Sequence, residues 1–250
     1  MIFTLAAREL RSAFLSPIAW TLIGVTQVIL AFIMGNGLES YIVQIQPQLH
    51  LYLSPPDITG EVVVPQYMWL AIIMIVVSPL LTMRVFSDER KNKTLTLLFS
   101  APISMTEIVL GKFIGLLAIA GIMLATFTIM PLTLLFFGSL DFGLLFSVLL
   151  GVFLLMASCM AIGLYISSLT ENPMIAAILS FFLILLFSIL IFVQGESPDE
   201  FSLAHLSLFQ HLMAFVSGLF SSHDFIYYLL IIATFLILAV HRLDSDRLQH

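Results

Sequence analysis

Residues 142–168 read FGLLFSVLLGVFLLMASCMAIGLYISS, without one acidic or basic side chain. A helix needs about 20 apolar residues to cross a bilayer, so this stretch is long enough. It does not alternate apolar and polar residues with period two, as the wall of a membrane β-barrel would. The rest of the chain is written in the same way. Of its 250 residues, 60% are hydrophobic and 10% charged, whereas a soluble domain carries roughly 25% charged residues. Mean hydropathy is +1.12. Such a composition excludes a soluble globular enzyme and a disordered chain. The net charge of −6 gives no basic face for nucleic acid. The lone cysteine, Cys159, allows neither an intrachain disulfide nor a cysteine-based zinc site, and its place inside an apolar run assigns it to packing.

Six stretches in all qualify as spans: about 17–37, 66–86, 113–137, 142–168, 174–194 and 225–240. The fold class expected is therefore all-α, a polytopic membrane protein with six transmembrane helices. Ser16 can cap the first span, and Pro17 suits a first helical position. No small-x-small cleavage site follows that span, so it reads as a retained helix rather than a signal peptide.

Charge gives the direction. The nine bases are Arg8, Arg11, Arg84, Arg90, Lys91, Lys93, Lys112, Arg242 and Arg247. All fall before span one, around the span two–three loop, or after span six. The connections at about 38–65, 138–141 and 195–224 hold no base and eight acids: Glu39, Asp57, Glu61, Asp141, Glu196, Asp199, Glu200 and Asp224. By the positive-inside rule both termini are expected in the cytoplasm. Losing or gaining one span would spoil this segregation.

Residues 1–14 put Phe3, Ala6, Leu10 and Phe14 on one helical face and Arg8, Arg11 and Ser12 on the other. This spacing predicts an amphipathic helix on the inner membrane surface, either a topological anchor or a lever for a cytoplasmic partner. Arg8, Arg11, Lys112 and Arg242 are expected as membrane-interface anchors, with Lys112 snorkelling to the inner headgroups.

The loop at 87–112 begins with a charged cluster, Asp88-Glu89-Arg90-Lys91. An apolar segment, Leu95–Phe99, follows and is too short to span. Pro102 stops or kinks it. Ser104 and Glu107 have capping-box spacing and start a helix that runs into span three. The expected picture is a helix-break-helix elbow, with a plain cytosolic loop as the alternative. The short loop 169–173 faces the same side. On the other side, His205–Phe220 is too short and polar for a span and is expected to be a re-entrant or interfacial helix before the last span.

Chemistry is sparse. The only Gly-Lys pair, Gly111-Lys112, has Thr106 where a phosphate-binding loop needs its earlier glycine, so no ATP hydrolysis is expected of this chain. His205 and His211 lie on different helical faces, and no metal site or cofactor is expected from that spacing. Spans almost free of ionisable groups argue against a proton- or sodium-driven carrier. Small residues four apart (Gly111 and Gly115, Ala157 and Ala161, Gly163 and Ser167) allow close helix packing, more readily within the chain than between chains. A body with neither energy source nor catalytic centre fits a transport subunit driven by a partner. The other reading is a membrane scaffold or assembly factor without transport activity.

The run from Asp88 to Leu98, then Ala101-Pro102-Ile103-Ser104, then Glu107-Ile108-Val109-Leu110-Gly111-Lys112, resembles the ABC-2 type permeases. That family shows E-R-x-x-x-T-L-x-x-L-L, then P-[IV]-S, then E-[IL]-[VL]-x-G-K. Residues 167–172 and 218–228 resemble its fourth-to-fifth loop and the entry to its last span. Within the family the chain resembles most the gliding-motility-type permeases, and next those of nitrous oxide reductase maturation. The resemblance covers essentially the whole chain, read as one transmembrane domain over 1–250. It implies a permease of an ATP-driven transporter, by family habit an exporter, in the bacterial inner membrane. It implies two copies of a separate ABC ATPase and a second permease chain, identical or homologous. Residues 94–99 would be the coupling helix seated on the ATPase, and 170–173 a second contact. The residues implied at that partner are Asp88, Glu89, Arg90, Thr94, Leu95, Leu98, Pro102, Glu107, Glu171 and Asn172.

Overall fold

A computed structural model describes residues 2–47, 57–93, 104–136, 140–192 and 203–249. The described residues form nine α-helices: α1 (Ile2–Leu15), α2 (Pro17–Ser40), α3 (Val64–Thr82), α4 (Ser87–Lys91), α5 (Met105–Leu132), α6 (Phe142–Leu169), α7 (Pro173–Ile189), α8 (Leu208–Val216) and α9 (Ser222–Gln249). Among the described residues there is no strand. Six helical stretches are long and apolar enough to cross a membrane: Pro17–Ile45, Thr59–Lys91, Met105–Phe136, Phe142–Leu169, Pro173–Phe192 and Ser222–Arg247. The all-α, six-span architecture is the one the composition dictates.

Helix starts follow local chemistry. Ser16 accepts a hydrogen bond from the Ile18 amide at 3.3 Å, and Pro17 opens α2. Ser104 accepts from the Glu107 amide at 3.2 Å, while the Glu107 carboxylate accepts from the Ser104 amide. Both halves of the capping box are thus present, and α5 runs unbroken from there into its span. Asp141 caps α6 by accepting from the Gly143 and Leu144 amides. The second span begins earlier than residue 66, because a π-helical turn at Thr59–Val63 leads straight into α3.

α6 is the centre of the bundle. It contacts α3, α5, α7, α8 and α9, and 78% of its apolar window is buried. Cys159 is fully buried among these neighbours as a free thiol, which agrees with a packing role. Glycines let two neighbours approach. A Cβ on Gly163 would lie 2.1 Å from the Thr82 Oγ1, and one on Gly151 would lie 2.6 Å from the Phe215 Cβ. In lipid, where apolar surface gains little by leaving the solvent, such close contact is what holds helices together.

The short α8 packs against α6 near its start: Ser147 Oγ donates to the Phe215 carbonyl at 2.8 Å. It ends in a left-handed Gly218 at φ +76. There the Leu219 amide reaches back to Ala214 at 3.0 Å and the Gly218 amide to Phe215 at 3.1 Å, a Schellman closure. With nine residues, α8 cannot cross a bilayer, and it lies as the short helix expected before the last span.

Candidate functional site

The other end of the bundle carries the charges. α1 does not merely rest on a membrane surface; it lies along α5. A Cβ on Gly111 would meet the Leu5 Cβ at 2.9 Å, and one on Gly115 would meet the Glu9 Cβ at 2.9 Å. The buried face of α1 is therefore Leu5 and Ala6, continued by Glu9, while Phe3 points outward and is 79% exposed. The face predicted from hydrophobicity alone is rotated, because a glycine pair admits a backbone that bulkier residues would hold off.

This docking brings Glu9 onto Lys112. The Lys112 ammonium lies 2.9 Å from the Glu9 Oε1, 2.8 Å from the Glu89 Oε1 and 2.8 Å from the Val85 carbonyl. All three of its N–H donors are used. The Phe86 ring sits 5.0 Å from the Nζ. Arg8 lies 3.4 Å from both Glu9 and Glu89, so two cations face two carboxylates. Arg8 is half exposed and adds little, whereas the Lys112 side chain is 1% exposed. The expectation that Lys112 snorkels to headgroups is thus corrected. Its stem points under the docked α1 rather than out along a bare helix.

Three elements meet at this ammonium: α1, α4 and α5. A fourth joins through Ser167 on α6. Its Oγ accepts from the amides of Phe86 at 3.0 Å and Ser87 at 3.2 Å, and donates to the Met83 carbonyl at 3.1 Å. Residues 83–86 thereby turn sharply after α3 while keeping their backbone satisfied. Replacing Ser167 by alanine orphans two buried amides, which costs about 1–3 kcal/mol each. The expected result is faster hydrogen exchange over residues 83–91 with the spans still protected.

α4 is fastened from the far side as well. The Arg90 guanidinium pairs with Asp246 on the last turns of α9, and Arg242 lies 3.4 Å from the same carboxylate. Arg242 thus spends part of its charge within the chain, and its side chain is 41% exposed. Arg11 is exposed on α1. A cleft of about 640 Å³ opens beside the cluster, between Arg8 and Ala13 of α1, Ile18 of α2, Leu81 of α3, and Leu116 of α5.

The candidate partner contacts separate into groups. Asp88, Glu89 and Arg90 all lie on α4, but Glu89 and Arg90 are engaged inside the chain. Glu107 closes the capping box. Glu171 is exposed in the α6–α7 turn, and Asn172 caps α7 by accepting from the Met174 amide at 3.0 Å. Thr94, Leu95, Leu98 and Pro102 lie outside the described residues, so the proposed coupling segment does too. Glu9, Asp246 and Ser167 complete the site and were missed by the sequence reading. Glu9 did carry a signal: it is a lone acid in an otherwise basic N-terminal segment, four residues after Leu5.

The sequence profile of a family described as ABC-2 family transporter protein matches residues 5–244. A search of curated proteins finds no match to the chain. A match over nearly the full length, on a six-span helical body whose charged elbow follows the second span, settles the kinship: the chain belongs to the ABC-2 transporter family and is a multi-pass membrane permease.

Proposed function

We propose that this permease is the transmembrane subunit of an ATP-driven exporter, moved by a separate ABC ATPase that docks on the segment between α4 and α5. Permeases of this family generally work with such an ATPase, and their membrane domain is not itself catalytic. The observation that carries the reading is the fastening of α4. Ion pairs and hydrogen bonds tie it to α1 through Arg8, to α5 through Lys112, to α6 through Ser167 and to α9 through Asp246. A push on residues 94–103 would be delivered at both ends, to α4 and to the capped start of α5.

In this proposal the whole chain acts as one transmembrane domain in the bacterial inner membrane, with both termini in the cytoplasm, as the distribution of bases suggests. Thr94, Leu95, Leu98 and Pro102 form the handle. Asp88, Glu107, Glu171 and Asn172 border it, while Glu89 and Arg90 act through the elbow they fasten. Arg8 and Arg11 anchor α1 at the headgroups, assisted by Arg242 on α9. Two ATPases and a second permease, identical or homologous, complete the assembly. The cleft beside Lys112 leaves room for α1 to shift against α2 and α3. Energy enters as the difference in nucleotide affinity between two arrangements of the assembly.

The test is co-expression with a candidate ABC ATPase chosen from the genes that flank this one. The intact chain is expected to co-purify with that ATPase and to change its ATP turnover. Deletion of residues 94–99 should abolish both effects and leave the chain monodisperse. A complex that survives the deletion, or no complex with the intact chain, overturns the coupling assignment. A complex with unaltered turnover supports the scaffold reading instead. Charge reversal at Glu89 is a poor substitute, because it also breaks the Lys112 pair.

A further inference from the structure

We propose that His211, His223 and Asp224 form a binding site for one divalent transition-metal ion of the zinc class. His211 lies on α8, while His223 and Asp224 lie in the first turn of α9. One donor atom from each lies within 4.8 Å of the others. The sequence reading compared His211 only with His205, six residues away on another face. The fold instead closes α9 back onto α8.

The His211 ring is held fast. It is 3% exposed and stacks on Tyr227 at 3.8 Å between centroids. Its Nε2 lies 2.9 Å from the His205 carbonyl. A carbonyl only accepts, so Nε2 carries the hydrogen and donates it. The neutral ring then presents a lone pair at Nδ1, and Nδ1 lies 2.5 Å from the Asp224 Oδ1. Two electron-pair donors at that distance need an electrophile between them. A proton or a metal ion can serve.

His223 supplies the third donor that a metal site needs. Its Nδ1 is 3.6 Å from the same Asp224 oxygen, and its ring centroid is 5.5 Å from that of His211. Beside a shared proton His223 is a further donor to the same carboxylate; beside a metal ion it is the third ligand. Two imidazoles and a carboxylate, with a fourth position open to solvent, make a familiar zinc set. A histidine whose other nitrogen donates to a backbone carbonyl is likewise typical of metal ligands. Bonds of about 2.0–2.1 Å hold tetrahedral ligand atoms about 3.3 Å apart. The Asp224 carboxylate would therefore draw back by less than about 1 Å as the ion enters. Where His211 is imidazolium, the ion takes the Nδ1 electron pair and one proton leaves to solvent. The bound ion would staple α8 to the start of the last span.

The test uses the full chain in detergent, without a histidine tag and stripped by chelator, with Co²⁺ as probe and Zn²⁺ as competitor. One equivalent of Co²⁺ is expected, with a tetrahedral visible spectrum, displaced by Zn²⁺ with a rise in melting temperature. His223→Ala should weaken binding at least tenfold without altering the fold, since that side chain is 77% exposed. Asp224→Asn should also weaken it. Lowering the pH should weaken wild-type binding. If the wild-type chain gives no tetrahedral spectrum, or binds no more tightly than His223→Ala, the cluster is a proton-bridged pair and the proposal fails. No ATPase enters the assay, so its result stands apart from that of the co-expression test.

Discussion

Replacing Lys112 by methionine destabilises the protein by about 3 kcal/mol, the lower end of the range for breaking a buried ion pair. Methionine keeps most of the volume over the Phe86 ring, so packing changes little. What disappears is the buried ammonium that faces Glu9 at 2.9 Å and Glu89 at 2.8 Å. Those carboxylates are 21% exposed, which lets some water reach them and sets the value near the lower end. Arg8 remains 3.4 Å away but half exposed, and offsets only part of the loss. Thermal unfolding in detergent measures the effect as a clear drop in melting temperature. Changing Glu9 and Glu89 to glutamine in the same chain should recover much of it, because neutral amides tolerate the loss of the ammonium better than carboxylates do. A drop of less than a degree in the single variant would mean that the ammonium holds nothing together. Arginine is no substitute, since a planar fork cannot aim three donors at these acceptors.

The second large effect comes from a single methyl group. Alanine at Gly163 places its Cβ 2.1 Å from the Thr82 Oγ1 and 2.8 Å from the Thr82 Cβ. Neither atom belongs to a long side chain that could swing aside. α3 must move off α6, and overpacking of this kind costs about 1–3 kcal/mol. The upper part of that range is expected here, because the displaced helix also carries the elbow at its end. Thr82→Ala in the same chain should restore stability only in part, since the contact at the Cβ remains. Melting temperature and monodispersity in detergent report the outcome. Wild-type behaviour of Gly163→Ala would show that the two helices do not touch there.

Local signals in the sequence were strong and proved sufficient for the spans. Ser16 with Pro17, and Ser104 with Glu107, announce helix starts through bonds that close within three residues. Apolar length announces the spans themselves. The start of the second span is less visible, because Glu61 inside its first turn breaks the apolar run. The short α8 could be read from a stretch too short and polar for a span. Pairings across long separations could not. Lys112 meets Glu9 across 103 positions, and Arg90 meets Asp246 across 156. Snorkelling to the headgroups assumes that nothing lies over that face of the helix. The glycines at 111 and 115 held the contrary clue, since a helix docked there turns the neighbouring lysine inward. His211 and Asp224 are only thirteen positions apart, yet a helix end and a reversal lie between them. No periodicity carries across such a break.

With α6 enclosed by its neighbours, the apolar faces left open to lipid or to a second permease lie mainly along α2, α7 and α9, whose apolar windows are 22%, 22% and 17% buried within the chain. Changes in bilayer thickness or lipid unsaturation therefore act first on those three outer helices. They reach the middle of the bundle only as altered tilt or pressure passed inward by the helices around it.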